Sequence, residues 1–150
     1  METALVTGAL GMLGTEVADV FGAEYDVVGV DVEDFDITDA SSARSAVLGV
    51  RPALVVNCAA YTDVDGAETD RDRAMAVNGA GAGNLAAAAR EASARIMHVS
   101  TDYVFDGSKG APYTEDDSPN PINAYGVSKL AGERSVAESG AEWTMSPITL

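Results

Sequence analysis

The chain has 150 residues, 47% of them hydrophobic, and sets 24 Asp and Glu against nine Lys and Arg for a net charge of −15. A single globular domain follows from that length and balance, and nucleic acid is excluded as a partner because its phosphates would be repelled. Apolar runs break well before the roughly 18 residues a membrane span needs, the N-terminus has no basic segment or cleavage site, and the lone Cys58 excludes an internal disulfide. These features predict a cytoplasmic protein with no membrane partner. So large an acidic excess also fits adaptation to high cytoplasmic salt, where screening shrinks self-repulsion.

In chain order, TALVTG (3–8) and DVVGVD (26–31) read as short β-prone runs, and GMLGTEVADVFG (11–22) between them carries apolar residues at helical spacing. A helix over 39–48 follows, with Thr38 as N-cap and Gly49 beyond its end. The third strand is ALVVNCAA (53–60) and the fourth ARIMHVST (94–101), both continuous apolar runs of the kind buried on two faces of a parallel sheet. Between them a helix over 70–92 holds Gly79, Gly81 and Gly83, each costing about 1 kcal/mol relative to alanine, which predicts a close approach of backbones there. After a Pro- and Asp-rich loop (106–121), INAYGVSKLAGERSVAESG (122–140) reads as a helix starting near Asn123 and stopping at Gly140. EWTMSPITL (142–150) starts a further strand that Pro147 confines to an edge or a strand end. The alternation predicts an α/β fold, a Rossmann-type, doubly wound, mostly parallel sheet, with any ligand across the carboxyl ends of its strands.

TGALGMLG places Gly8, Gly11 and Gly14 where the first strand turns into the first helix. GxxGxxG differs from the GxGxxG fingerprint, but it meets similar demands: a tight turn, backbone N–H groups close to a pyrophosphate, and close helix–strand packing. A purely structural turn also fits, since 15 residues are glycine. Asp31 ends the second strand 23 positions after Gly8, near the roughly 20-residue offset at which an acid accepts hydrogen bonds from an adenosine ribose. No Arg or Lys follows Asp31 until Arg44, so a ribose 2′-phosphate would meet a carboxylate, and NADH is predicted to be preferred over NADPH.

Tyr125 and Lys129, four apart in a predicted helix, lie on one face. A nearby ammonium is what a tyrosine of pKa near 10 needs to exchange protons around neutrality. STDYVFDG (100–107) ends the fourth strand and offers Ser100 and Thr101 as a second hydroxyl for orienting a carbonyl. Tyr103 has Gly107, not a lysine, four residues on. His98 reads as a satisfied core histidine, Asn78 as a surface amide or a site residue, and the acidic run 115–117 as solvated charge. No group has metal-ligand spacing.

On TGALGMLG, DITD (36–39), VVNCAAYTDVDGAE (55–68), AVNGAGAGNLA (76–86), HVSTDYVFDG (98–107) and PYTEDDSPNPINAYGVSKLAGE (112–133), the chain resembles the extended short-chain dehydrogenase/reductase superfamily, and within it the dTDP-4-dehydrorhamnose reductase family. The resemblance runs over about residues 3–140 and implies an NAD(P)-binding domain over 1–150. It implies NAD(P)H-dependent reduction of the C4 keto group of dTDP-4-dehydrorhamnose to dTDP-L-rhamnose, with a nucleotide-sugar substrate. Gly8, Gly11, Met12, Leu13 and Gly14 are implied to hold the pyrophosphate, Asp31 the ribose, and Asp36 with Ile37 the adenine. Ala60, Tyr61, Thr62 and Val99 are implied on the nicotinamide side, and Lys129 on its ribose. Tyr125 is the implied proton donor and also a cofactor contact, with Lys129 and Thr101 as catalytic partners and Thr101, Asp102 and Tyr103 as sugar contacts. The superfamily also places an asparagine inside a helix near its active site, which falls on Asn78.

The family continues for about as many residues again, which supply most of the sugar-nucleotide pocket, and after Trp143 this chain reads TMSPITL where the family has an Arg-Thr-Ser-Trp-like stretch. A truncated or frameshifted copy is therefore expected, or one half of a split protein, with a second copy (a homodimer) or a complementing C-terminal chain as the expected protein partner. Two other readings stay open: a non-catalytic module like the regulatory subunit of methionine adenosyltransferase, and an NAD-dependent sugar-nucleotide epimerase or dehydratase.

Overall fold

A computed structural model describes residues 1–148, so the last two residues of the predicted fifth strand lie outside the described residues. Five strands form one sheet in the order β2-β1-β3-β4-β5: β1 Thr3–Thr7, β2 Asp26–Val30, β3 Leu54–Asn57, β4 Arg95–Thr101 and β5 Trp143–Ile148. Every pairing is parallel, with Val6 opposite both Gly29 and Val56. The chain moves outward one way from β1 to β2 and the other way from β3 to β5. That reversal puts the switch point, the preferred ligand crevice of this sheet order, between β1 and β3. Pro147 lies in the edge strand β5, opposite Ser100, where a missing N–H is tolerated.

The helices divide between the two faces. α1 (Met12–Phe21) sets Val17 and Phe21 against Ala4, Val6, Leu54 and Val56 on one face. On the other face, α2 (Ala40–Val50), α4 (Ala82–Glu91) and α5 (Ala124–Glu138) bury Val47, Leu85 and Val136 with Leu5, Val55 and Ile96. The middles of β1 and β3 are apolar and buried because both faces of the central sheet are needed for packing. The predicted cap of α2 moves by one residue: Asp39, not Thr38, accepts from Ser42 N at 2.9 Å. Thr38 is already committed, since its N–H and hydroxyl both donate to Asp36 at 2.8 Å. Asn123 caps α5 through Gly126 N at 2.7 Å.

The long helix expected over 70–92 is three segments: α3 (Arg71–Ala74), a π-helical stretch Met75–Gly81, and α4. Its glycines mark close approaches, as a Cβ at Gly81 or Gly83 would come within 2.8 or 3.0 Å of Ile37 or Ser135. α5 answers with Gly132, where a Cβ would stand 2.1 Å from the Asn78 carbonyl oxygen. Backbone contact of this kind locks α5 against the π segment.

Three ion pairs form among the described residues, all at the surface: Arg44–Glu91, Arg71–Glu68 and Lys109–Asp117. Most of the 24 carboxylates therefore lack a cationic partner among the described residues, so Tm is expected to rise steeply from dilute buffer to molar KCl as the repulsion is screened. A flat calorimetric response overturns that expectation.

Candidate active site

A cleft of about 940 Å³ opens at the carboxyl ends of the strands, over the β1/β3 switch point. At one end, β1 turns into α1 through Gly8, whose φ of +68° suits glycine and whose missing Cβ would stand 2.7 Å from Ala59 N. Gly11 is the N-cap of α1, and no side chain caps that helix, so its first N–H groups point outward without a side-chain acceptor. Such a terminus favours an anion. Asp31 fastens the turn to β2: Oδ2 accepts from Leu10 N at 3.0 Å and Oδ1 from Val32 N at 2.8 Å.

Gly8, Gly11, Met12, Leu13, Gly14, Asp31, Asp36, Ile37, Ala60, Tyr61, Thr62, Val99, Thr101, Tyr103, Tyr125 and Lys129 all line this one cleft. Asp102 does not; its carboxylate accepts from the Thr101 hydroxyl at 3.2 Å beside the cleft. Arg73 of α3 is a lining residue that no sequence motif marks, and apart from Lys129 it is the one Lys or Arg among the described lining residues.

The other end is built by β4 and α5. Lys129 is 3% exposed, and its Nζ donates to the Val99 carbonyl at 2.6 Å. Burial pushes the ammonium down to about 8, while Glu133 and Cys58 hold it up. Tyr125 is 9% exposed; burial raises its pKa, the Thr101 hydroxyl lowers it, and Tyr103 and Asp102 raise it again. The phenol therefore holds its proton at neutral pH, as a donor must. Tyr103 stands edge-on to Tyr125, ring centroids 5.5 Å apart, and is itself exposed.

Asn78 is no surface amide. It is 1% exposed in the π segment, where Oδ1 accepts from Tyr61 N at 2.8 Å and Nδ2 donates to the Tyr61 carbonyl at 3.0 Å and to Ser128 Oγ at 2.9 Å. The Ser128 hydroxyl donates to the Tyr125 carbonyl at 2.7 Å. One buried chain of hydrogen bonds thus joins the Tyr61 wall to Tyr125, and the π turn, a frequent companion of functional sites, holds its middle member.

His98 is satisfied on one nitrogen only. The Asn57 Oδ1 accepts from Thr7 Oγ1 at 2.8 Å and Ala59 N at 3.1 Å, which leaves Nδ2 to donate to His98 Nδ1 at 3.1 Å. The proton then sits on Nε2, which is buried without a partner among the described residues. Burial, then the Lys129 charge, lower this histidine from 6.5 to about 3. The unfolded chain binds the proton across that window and the folded one does not, so stability is lost as pH falls from 6.5 toward 3. His98→Gln is expected to flatten the stability slope between pH 6.5 and about 5, above most carboxylate titrations, in denaturant unfolding.

The model of the RmlD substrate binding domain matches residues 1–147. The chain belongs to that family. The RmlD-family chain is 50% identical over 135 residues to a dTDP-4-keto-6-deoxy-D-glucose reductase of Streptomyces niveus, covering 89% of this chain and 47% of that protein. It is 46% identical over 139 residues to a dTDP-4-dehydrorhamnose reductase of Burkholderia thailandensis, covering 93% and 47%. The crystal structure of dTDP-4-dehydrorhamnose reductase from Bacillus anthracis in complex with NADP superposes with a TM-score of 0.95 at 40% identity, over 99% of this chain and 53% of that one. The chain thus spans about half the length of the relatives it matches.

Proposed function

We propose that residues 1–150 form the NAD(P)H-binding, catalytic part of a reductase of dTDP-4-keto-6-deoxy sugars, acting on dTDP-4-dehydrorhamnose to give dTDP-L-rhamnose. One observation carries the reading: Thr101, Tyr125 and Lys129 meet at one end of a cleft whose other end is the uncapped start of α1. The cleft fits a dinucleotide, with an anion-seeking helix end over Gly8 and Gly11, an acid at the end of β2, and a volume of about 940 Å³. A reduced nicotinamide, when bound, supplies hydride to the sugar's C4. Tyr125 gives its proton to the oxygen that gains charge there, Thr101 donates a hydrogen bond to the same oxygen, and Lys129 stabilises the tyrosinate left behind. Tyr103 contacts the sugar from the cleft wall, Asp102 acts behind it through its bond to the Thr101 hydroxyl, and Asn78 keeps the Tyr61 wall in register with Tyr125.

The assay is loss of reduced-nicotinamide absorbance on mixing the chain with NADH or NADPH and dTDP-4-dehydrorhamnose. The half-length match favours one second reading, cofactor binding without turnover, because binding energy from the substrate's nucleotide helps position the reacting carbon. Bound cofactor without absorbance loss selects the second reading; neither binding nor turnover refutes both.

Between the two cofactors, the carboxylate of Asp31 favours NADH, since a 2′-phosphate would add negative charge beside it. Direct titration is expected to give a lower Kd for NADH, and Asp31→Asn is expected to narrow the gap. Tighter NADPH binding that depends on Arg73 would instead make this cleft-lining guanidinium the partner of the 2′-phosphate.

A further inference from the structure

Behind the cleft lies an acid that takes no part in lining it. Tyr125, Lys129 and Glu133 follow one another at four-residue spacing on α5, so they stack along one face of the helix. Glu133 accepts a hydrogen bond from the hydroxyl of buried Ser100. Ser100 sits on β4 between Val99, whose carbonyl takes the Lys129 ammonium, and Thr101. β4 and α5 are therefore joined twice, one turn of α5 apart, on either side of the same peptide unit.

We propose that Glu133 is a positioning residue for Lys129: its carboxylate, anchored by Ser100, is the anion that keeps this buried ammonium charged and aimed at the Val99 carbonyl. What the charge is for rests on the reductase reading above. Asp102, at the end of β4, acts on Tyr125 rather than on Lys129, and the other titratable side chains beside the ammonium carry no negative charge at neutral pH. Burial raises the Cys58 thiol to about 11, so it stays protonated at the end of β3. His98 of β4 is neutral above about 3, and Tyr125 of α5, raised by burial, keeps its proton. Of the two groups that hold Lys129 up, Glu133 and Cys58, only Glu133 is ionised there.

The chain has two lysines, so 13Cε-lysine labelling gives two NMR signals, and Lys109→Arg identifies the one from Lys129. No cofactor or substrate is needed, which separates this test from any failure of turnover. In the wild-type chain Lys129 is expected to titrate at about 8. Glu133→Gln keeps an acceptor for Ser100 but removes the charge, and is expected to lower that midpoint by about one unit or more, with the Lys109 signal in place as a sign of folding. Ser100→Ala keeps the charge but cuts its anchor, so it is expected to lower the midpoint by less; it carries the test alone if Glu133→Gln does not fold. A Lys129 midpoint that neither variant moves overturns the proposal.

Discussion

Tyr125→Phe is expected to lower the rate of 4-keto-sugar reduction by about 10²–10⁴-fold, the usual contribution of a positioned proton donor, with a far smaller change in cofactor Kd. The ring's packing should survive, because it is the ring that meets Ala67, Ala74, Tyr61 and Val64 in a small buried cluster and stands edge-on to Tyr103. Only the hydroxyl is lost. Tyr103→Phe, by contrast, changes an exposed residue at the cleft rim and is expected to raise KM with little change in kcat. Steady-state kinetics of the two variants separate the roles. Equal loss of kcat in both, or a greater loss in Tyr103→Phe, would reverse the assignment.

The second large effect lies at the opposite end of the cleft. A Cβ at Gly14 would stand 2.0 Å from Gly8 O, 2.7 Å from Gly8 C and 2.8 Å from Ala9 Cα, all backbone atoms that cannot swing aside. Gly14→Ala must therefore push α1 off the turn, with a loss of about 3 kcal/mol, read as a Tm lower by about 10 °C, and with weakened cofactor binding. Gly11→Ala is the control, since its Cβ would meet only Gly8 O at 3.2 Å and its φ is −73°. Differential scanning calorimetry should rank Gly14→Ala well below Gly11→Ala; equal Tm values would show that α1 can shift freely.

The sheet was legible in the sequence because strands buried on both faces read as unbroken apolar runs, and the helix between 122 and 140 because Asn123 and Gly140 punctuate it. Strand ends were harder. The third run continues through Cys58, Ala59 and Ala60, but the ladder stops at Asn57, and those three residues form the cleft wall instead. Glycines 8, 11 and 14 were readable as a turn since their demands are local. Asn78 could not be placed from its neighbours: its partners Tyr61 and Ser128 lie 17 and 50 residues away, and the π turn that buries it has no local signature. The same holds for Arg73, which lines the cleft from α3, and for Glu133, whose Ser100 partner is 33 positions distant. Tyr-x-x-x-Lys gives a shared helix face; it does not give the direction in which the ammonium is spent, here a main-chain carbonyl of β4.

Among the described residues β5 has no strand on its outer side, so main-chain groups between Trp143 and Ile148 have no sheet partner there. Open edges recruit strands from other chains, and Pro147 blunts this one at a single point. Mutual repulsion between copies carrying −15 charges is the broader guard. Salt then acts in two directions: the ions that steady each molecule also remove the barrier between molecules, so handling the protein in concentrated form is a balance between unfolding and edge-to-edge aggregation.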